Sequence, residues 1–194
     1  SVGEFEQGLP LMKKLKEKHA STLIVTFFSP SGYEAKKDHP IVDHAFYLPI
    51  DSAKNARNFI DAMKPSIAIF VKYEFWHFYF QELNKKQIPL HVISSNFRAN
   101  QHFFKWFGGF HRNILYKVNC FFVQNKTSQV LLKGIGIDKS IIVGDTRLDR
   151  VQELKNKSFS YKAIELFCKD SNTIVLGSVW LKDLELFYPL IKTK

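Results

Sequence analysis

IAIFVKYEFWHFYFQELNKKQIPLHVI, residues 67–93, is the stretch on which the fold reading turns. Ile67 to Val71 and Leu90 to Ile93 are short, continuous apolar runs, the pattern of strands buried on both faces. Between them, Glu74 to Lys86 carries apolar residues at helical spacing and contains neither Gly nor Pro. A strand, a helix and a strand in that order make a βαβ unit, whose long crossover forces the two strands to be parallel.

The same alternation extends in both directions. Leu23 to Phe28, Ala45 to Leu48, Cys120 to Val123, Ile141 to Val143 and Thr173 to Leu176 read as further strands. Helices are expected over about Glu6 to Lys18, with Phe5, Leu9, Met12 and Leu15 on one face, and over Ala53 to Met63, Gln101 to Tyr116, Ser128 to Lys133 and Tyr161 to Lys169. The expected class is α/β, a doubly wound parallel sheet with helices on both faces. Ser1 and Val2 read as the tail of a strand entering a Gly3-Glu4 turn. The polar stretch Asp145 to Ser160 reads as an interdomain linker. The expected organisation is therefore a first domain over 1–145, a linker over 146–160 and the start of a second domain over 161–194, in a fragment cut at both ends.

With 194 residues, 45% of them hydrophobic and 15% aromatic, the chain can bury a core. It has no run of the roughly 18 apolar residues that a membrane span needs, and it opens with no leader pattern. Cys120 and Cys168 are far apart and form no metal or disulfide pattern, so no structural metal is expected. HExxH, CxxC, GxGxxG and Walker spacings are absent. The net charge of +10 favours polyanionic partners, whether nucleic acid, anionic lipid or a phosphorylated substrate, or else reflects solvating lysines on helix faces.

Several residues could carry chemistry at the carboxyl ends of the strands, where open α/β sheets hold ligands. Glu4, beside Gly3, is either a general base for a hydroxyl or a first-turn acid on the helix dipole. Ser29, Ser31 and Gly32 are either an anion cradle or plain turn chemistry. Glu74 reaches the same rim, or else caps a helix while Phe75 and Trp76 enter the core. Arg98, Lys105 and Arg112 interleave with aromatics from Asn96 to Arg112, interrupted by Gly108-Gly109. Exposed rings with a basic rim suit an amphiphile, an anionic membrane or a stacked nucleic acid, whereas buried rings would make an aromatic-rich core helix. Arg147 could hold a carboxylate or phosphate bidentately, and Gly177-Ser178 repeats the strand-then-small-residue theme.

Six blocks taken in order carry a resemblance: Ser1 to Gly8, Thr26 to Gly32, Tyr73 to Trp76, Val123-Gln124, Gly144 to Asp149 and Gly177 to Trp180. Together they resemble the signature set of the lipid A Kdo transferases, glycosyltransferase family 30, over nearly the whole chain. The resemblance implies a GT-B architecture of two Rossmann-like domains. The N-terminal one would bind the acceptor, a lipid A precursor, through Gly3, Ser29, Ser31, Gly32, Glu74, Arg98, Lys105 and Arg112. The C-terminal one would hold the donor CMP-Kdo, with Arg147, Gly177 and Ser178 as donor contacts. Glu4 matches the family's catalytic base in an inverting transfer that uses no cofactor and no metal. The implied place is the cytoplasmic face of the bacterial inner membrane, on an anionic surface, with an anchor outside this chain and no nucleic-acid partner. Two departures are visible: Lys72 stands where relatives have the first of two acids, and Gly144-Asp145-Thr146-Arg147 keeps the cation of the usual block without its amide. Another GT-B glycosyltransferase with a different nucleotide sugar, and a non-enzymatic polyanion-binding module, are the alternatives.

Overall fold

The computed structural model describes residues 1–19, 21–155, 161–170 and 173–192. The chain divides into two compact units, Ser1–Asn156 and Lys157–Lys194. The larger unit runs α1 (Val2–Lys18), β1 (Ile24–Phe27), α2 (Pro30–Lys36), β2 (His44–Tyr47), α3 (Ala53–Met63), β3 (Ala68–Val71), α4 (His77–Lys85) and β4 (Leu90–Ser95). A short 3-10 turn (His102–Phe104) follows, then α5 (Gly109–Leu115), β5 (Cys120–Val123), α6 (Lys126–Gly134), β6 (Ser140–Ile142) and α7 (Thr146–Lys155). The smaller unit contains α8 (Lys162–Cys168) and α9 (Leu181–Lys192).

All strand pairs are parallel, as the βαβ reading requires. β3, β4, β5 and β6 pair in sequence order, and β1 pairs with β2 in a separate two-stranded sheet. Two apolar clusters match the two sheets. The larger gathers Tyr79, Phe80 and Leu83 of α4, Leu90 and Val92 of β4, Phe121 and Val123 of β5 and Leu132 of α6. The smaller is Phe5 and Leu9 of α1 against Phe27 of β1.

Caps explain where the helices begin. Ser52 Oγ accepts from the Asn55 N–H at 3.2 Å and starts α3. α4 has no cap of its own, since Trp76 occupies that position, and Asp51 from the β2–α3 loop accepts from the Phe78 N–H at 3.0 Å instead. α1 begins earlier than expected. Ser1 is its N-cap and forms a capping box with Glu4, so Ser1 to Glu4 are a cap and a first helical turn rather than a strand tail and a turn. The Ser-x-x-Glu spacing that signals this box is present in the sequence.

Three further expectations are corrected. The helix expected over Gln101 to Tyr116 is broken into the 3-10 turn and α5, because the chain folds back at Gly108 and Arg112 Nη1 donates to the carbonyls of Phe103 (3.2 Å) and Lys105 (2.8 Å). Thr173 to Leu176 is not a strand, and among the described residues of the smaller unit no other strand offers an edge to pair with. The expected linker is helical over Thr146–Lys155, and this α7 packs against α1 within the larger unit; its remainder, 156–160, lies outside the described residues.

Gly108 is required by space. A Cβ there would lie 2.0 Å from the His102 carbonyl oxygen and 3.0 Å from that of Lys105, both backbone atoms that cannot swing away. Gly108→Ala is expected to destabilise the protein by about 1–3 kcal/mol, as overpacking does. Chemical denaturation followed by circular dichroism checks this, and an unchanged midpoint would refute it.

Candidate functional site

Parallel strands joined by helices deliver all their carboxyl ends to one rim. At this rim stand the first turn of α1, the β1–α2 turn, the β3–α4 loop and the start of α7. Glu4 is the third residue of α1 and accepts from the amino-terminal ammonium of Ser1 at 2.7 Å. Ser29 caps α2, its Oγ accepting from the Gly32 N–H at 3.3 Å. A Cβ on Gly32 would meet Phe27 Cδ1 at 3.1 Å and the Ser1 Cα at 3.3 Å. Gly32 therefore lets the first turn of α2 lie against the first turn of α1. Gly3 has no such constraint, since its nearest neighbour would be Ser1 Oγ at 4.0 Å. Ser31 is exposed beside Gly32.

Glu74 lies in the loop after β3, half-buried, and accepts from Trp76 Nε1 at 2.8 Å. It does not cap α4. Burial raises its proton affinity above the ordinary glutamate range, and the negative charge of Glu4 raises it further. The Trp76 hydrogen bond and the amino-terminal ammonium act in the opposite direction. Glu4 and Glu74, seventy residues apart in sequence, thus face one another electrostatically and line one cavity with Ser1 and Trp76. Phe75 enters the core, stacked on Phe97 at 5.9 Å, while Trp76 meets the exposed Phe28 at 4.9 Å.

The backbone around this acid pair is unusual. Lys72 (φ 61°) and Ser94 (φ 54°) both adopt the left-handed conformation at the carboxyl ends of neighbouring strands, and the β4–β5 register shifts between Val92 and Ser95. Ser94 Oγ and Thr146 Oγ1 are 2.8 Å apart, fastening α7 to β4. Arg147 is exposed, and its guanidinium is chelated by Asp145, with Nε to Oδ2 at 2.9 Å. That bond holds the Asp145 carboxyl below the usual carboxylate range.

The basic and aromatic segment adjoins the rim. Phe103 packs edge-on to Phe75 at 5.2 Å, and Phe110 stacks on His77 at 5.1 Å. Trp106 is 91% exposed, and Phe107 and Phe110 are more than half exposed. Lys105 is partly exposed and Arg98 exposed, whereas Arg112 is partly buried and spends its guanidinium on loop carbonyls. Gly177 and Ser178 are exposed in the smaller unit, Ser178 with φ 56°. Sequence reasoning did not find Asp51, which caps α4 across 27 residues, nor the link from Asn125 Nδ2 to Asn96 Oδ1 at 3.0 Å that ties the β4 loop to α6. Neither pairing has a local spacing that would signal it.

The family profile described as 3-Deoxy-D-manno-octulosonic-acid transferase (kdotransferase) matches residues 1–150. The chain belongs to this kdotransferase family. It is 27% identical over 200 residues to the 3-deoxy-D-manno-octulosonic acid transferase of Chlamydophila psittaci, covering 99% of this chain and 46% of that protein. To the enzyme of the same name from Rickettsia typhi it is 23% identical over 195 residues, covering 98% and 42%. The chain therefore spans less than half the length of these kdotransferases. The crystal structure of UDP-GlcNAc 2-epimerase from Neisseria meningitidis bound to UDP-GlcNAc superposes with a TM-score of 0.57 at 16% identity, over 80% of this chain and 49% of that one. At that identity the likeness is one of fold, and it bears out the α/β, Rossmann-like class. Among the described residues no helix is long and apolar enough to cross a membrane.

The acid pair gives a titration prediction. Because Glu74 binds its proton more tightly folded than unfolded, its ionisation opposes folding: stability falls as pH rises through the unfolded value and levels off above the raised folded value. Carbon-detected NMR titration should place the Glu74 midpoint above the usual glutamate range, and Glu4→Gln should move it down. A Glu74 midpoint indifferent to Glu4→Gln would show that the two carboxyls do not interact.

Proposed function

We propose that this chain is the acceptor-binding half of a glycosyltransferase that moves Kdo from CMP-Kdo to a lipid A precursor in lipopolysaccharide biosynthesis. The observation that carries the reading is the Glu4–Glu74 pair lining one cavity at the carboxyl rim, in a chain of the kdotransferase family. Glu4 is the general base. Its carboxylate takes the proton of an acceptor sugar hydroxyl, whose oxygen attacks the anomeric carbon of Kdo from the face opposite CMP. The bond from that carbon to the phosphate oxygen breaks, CMP leaves with the electron pair, and the configuration inverts. No metal or other cofactor is assigned a part. Glu74 borders the same hydroxyl position and hydrogen-bonds the acceptor there, accepting as a carboxylate or donating as a carboxylic acid.

Around the acid pair, Gly3, Ser29, Ser31 and Gly32 frame the acceptor. The exposed Trp106, Phe107 and Phe110 take its acyl chains, and Arg98 and Lys105 take its phosphates, at the cytoplasmic face of the bacterial inner membrane. Arg112 supports this surface from within by holding the carbonyls of Phe103 and Lys105. The donor is gripped by the carboxyl-terminal half, where Gly177 and Ser178 start its contacts. Arg147 must exchange Asp145 for the donor's phosphate or carboxylate before it can contribute.

The test is transfer from CMP-Kdo to a lipid A precursor by the enzyme that carries this chain as its amino-terminal half. Glu4→Gln should lower turnover by roughly 10²–10⁴-fold, the usual worth of a general base, while acceptor binding persists. A fully active Glu4→Gln enzyme would reduce Glu4 to a helix-capping acid. In vesicle sedimentation, Trp106→Ala with Phe110→Ala should weaken binding of this chain to anionic liposomes, and unchanged binding would remove the aromatic surface from the acceptor site.

A further inference from the structure

Lys72 follows β3 at the rim that carries the acid pair. Its N–H donates to the Ile93 carbonyl at 2.8 Å, and the register of Val71 with Ile93 places it beside Ser94 at the end of β4. Such neighbouring strands lie about 4.8 Å apart. Ser94 Oγ is in turn 2.8 Å from Thr146 Oγ1, which brings the preceding residue, Asp145, to the strand end next to Lys72. Lys72 holds φ 61°, a left-handed backbone uncommon outside glycine and kept only where the surroundings impose it. Among the described residues the side-chain ion pairs engage Lys16, Lys36, Lys37, Lys86 and Arg147, and Lys72 stands outside them.

Asp145 and Arg147 form an unequal pair. The Asp145 side chain is 21% exposed and that of Arg147 63%. Asp145 Oδ1 accepts from the Arg147 backbone N–H at 3.0 Å as well as from Nε of its guanidinium at 3.1 Å. When the pair opens, the guanidinium is the partner that can leave, while the carboxylate stays, largely covered and tied to the backbone. A covered carboxylate without a counter-charge is costly, and it repels any anion that the departing Arg147 meets. The Arg147 guanidinium does most to hold the Asp145 carboxyl below the usual range; burial opposes it, and the charge of Lys72 lowers it further. Lys72 therefore already acts on the carboxylate that an outgoing Arg147 would strand. Glu74, two residues from Lys72, responds instead to burial, Glu4, Trp76 and the amino-terminal ammonium.

We infer that Lys72 is a positioning residue in a charge exchange: it takes Asp145 over from Arg147 and so frees the Arg147 guanidinium for the phosphate or carboxylate of the donor. The exchange rests on the reading of Arg147 as a donor contact. Lys72 and Arg147 set two cations against the single carboxylate of Asp145, so one cation is always in surplus. With Arg147 on Asp145 the surplus cation is Lys72; with Lys72 on Asp145 it is Arg147, whose planar fork grips a phosphate or carboxylate with two parallel hydrogen bonds, as an ammonium cannot. The free charge thus moves from the end of β3 to the exposed start of α7, and the covered carboxylate keeps a partner throughout. Only two side chains turn. The Arg147 N–H bond to Asp145 and the Ser94–Thr146 bond hold the backbone in place meanwhile.

The test has two arms. In the 194-residue chain, carbon-detected NMR titration follows the Asp145 carboxyl in the unchanged protein, in Arg147→Gln, in Lys72→Met and in the double variant. The midpoint should stay below the ordinary aspartate range in Arg147→Gln, where Lys72 takes over, and return to that range only in the double variant. A return in Arg147→Gln alone, or a double variant as low as Arg147→Gln, would overturn the exchange. In the enzyme that carries this chain as its amino-terminal half, Lys72→Met should raise KM for CMP-Kdo by roughly tenfold with kcat little changed, because Arg147 is then rarely free to bind. Asp145→Asn added to Lys72→Met should recover most of that loss, since Arg147 then has no carboxylate to leave. A loss that persists in the Asp145→Asn background would also overturn the inference, because Lys72 would then touch the donor itself. No transfer from CMP-Kdo by the unchanged enzyme would defeat the glycosyl-transfer reading, and the Asp145 titration would still decide the exchange.

Discussion

Parallel pairing is the constraint from which the rest of the larger unit follows. Each of β3 to β6 must be reached by a crossover, so helices or long loops cover the sheet and every carboxyl end arrives at the same rim. The chemistry gathers there without any one segment encoding it: Glu4 from a helix start, Glu74 from one loop and Asp145 with Arg147 from another. The price of such convergence is local strain, visible in the left-handed Lys72 and Ser94 and in the register shift beside them.

Charge is distributed in opposition to its total. A chain with net charge +10 places two carboxylates within electrostatic reach of each other at its candidate site, where burial pushes the proton affinity of Glu74 up. Several of the chain's cations are bonded away from this pair: Arg147 to Asp145, Arg112 to loop carbonyls and Lys36 to Glu6. Among the described residues, the amino-terminal ammonium of Ser1 is the cation bonded to Glu4. The basic excess is left for the surface, where it adjoins exposed aromatic rings and suits an anionic amphiphile.

The split sheet bears on the same point. An acid pair at a rim is only as well placed as the strands beneath it, and here β1 and β3 lie in separate sheets, with α1 packed against both. Gly8 brings α1 close to β3, within 3.7 Å of Val71 as measured from its Cβ position, and Gly32 brings α2 close to α1. The first approach sets α1, which carries Glu4, against the strand whose following loop carries Glu74.

The sequence by itself determined the α/β alternation, because periods of 2 and 3.6 and the residues that interrupt them are local properties. The strands from β1 to β6 were readable within a residue or two, and so were α3 and α6. It also carried the six blocks that mark the family, and the Ser-x-x-Glu spacing of the capping box at α1. Only the tertiary structure decided that Glu4 and Glu74 share a cavity, that Asp51 caps α4, that Gly108 breaks a helix and that Arg112 holds carbonyls instead of facing outward. It also withdrew the strand at Thr173 to Leu176, since an apolar run becomes a strand only when an edge is present to pair with it. Each of these depends on which segments the crossovers bring together, and that follows from packing around a sheet rather than from any spacing along the chain.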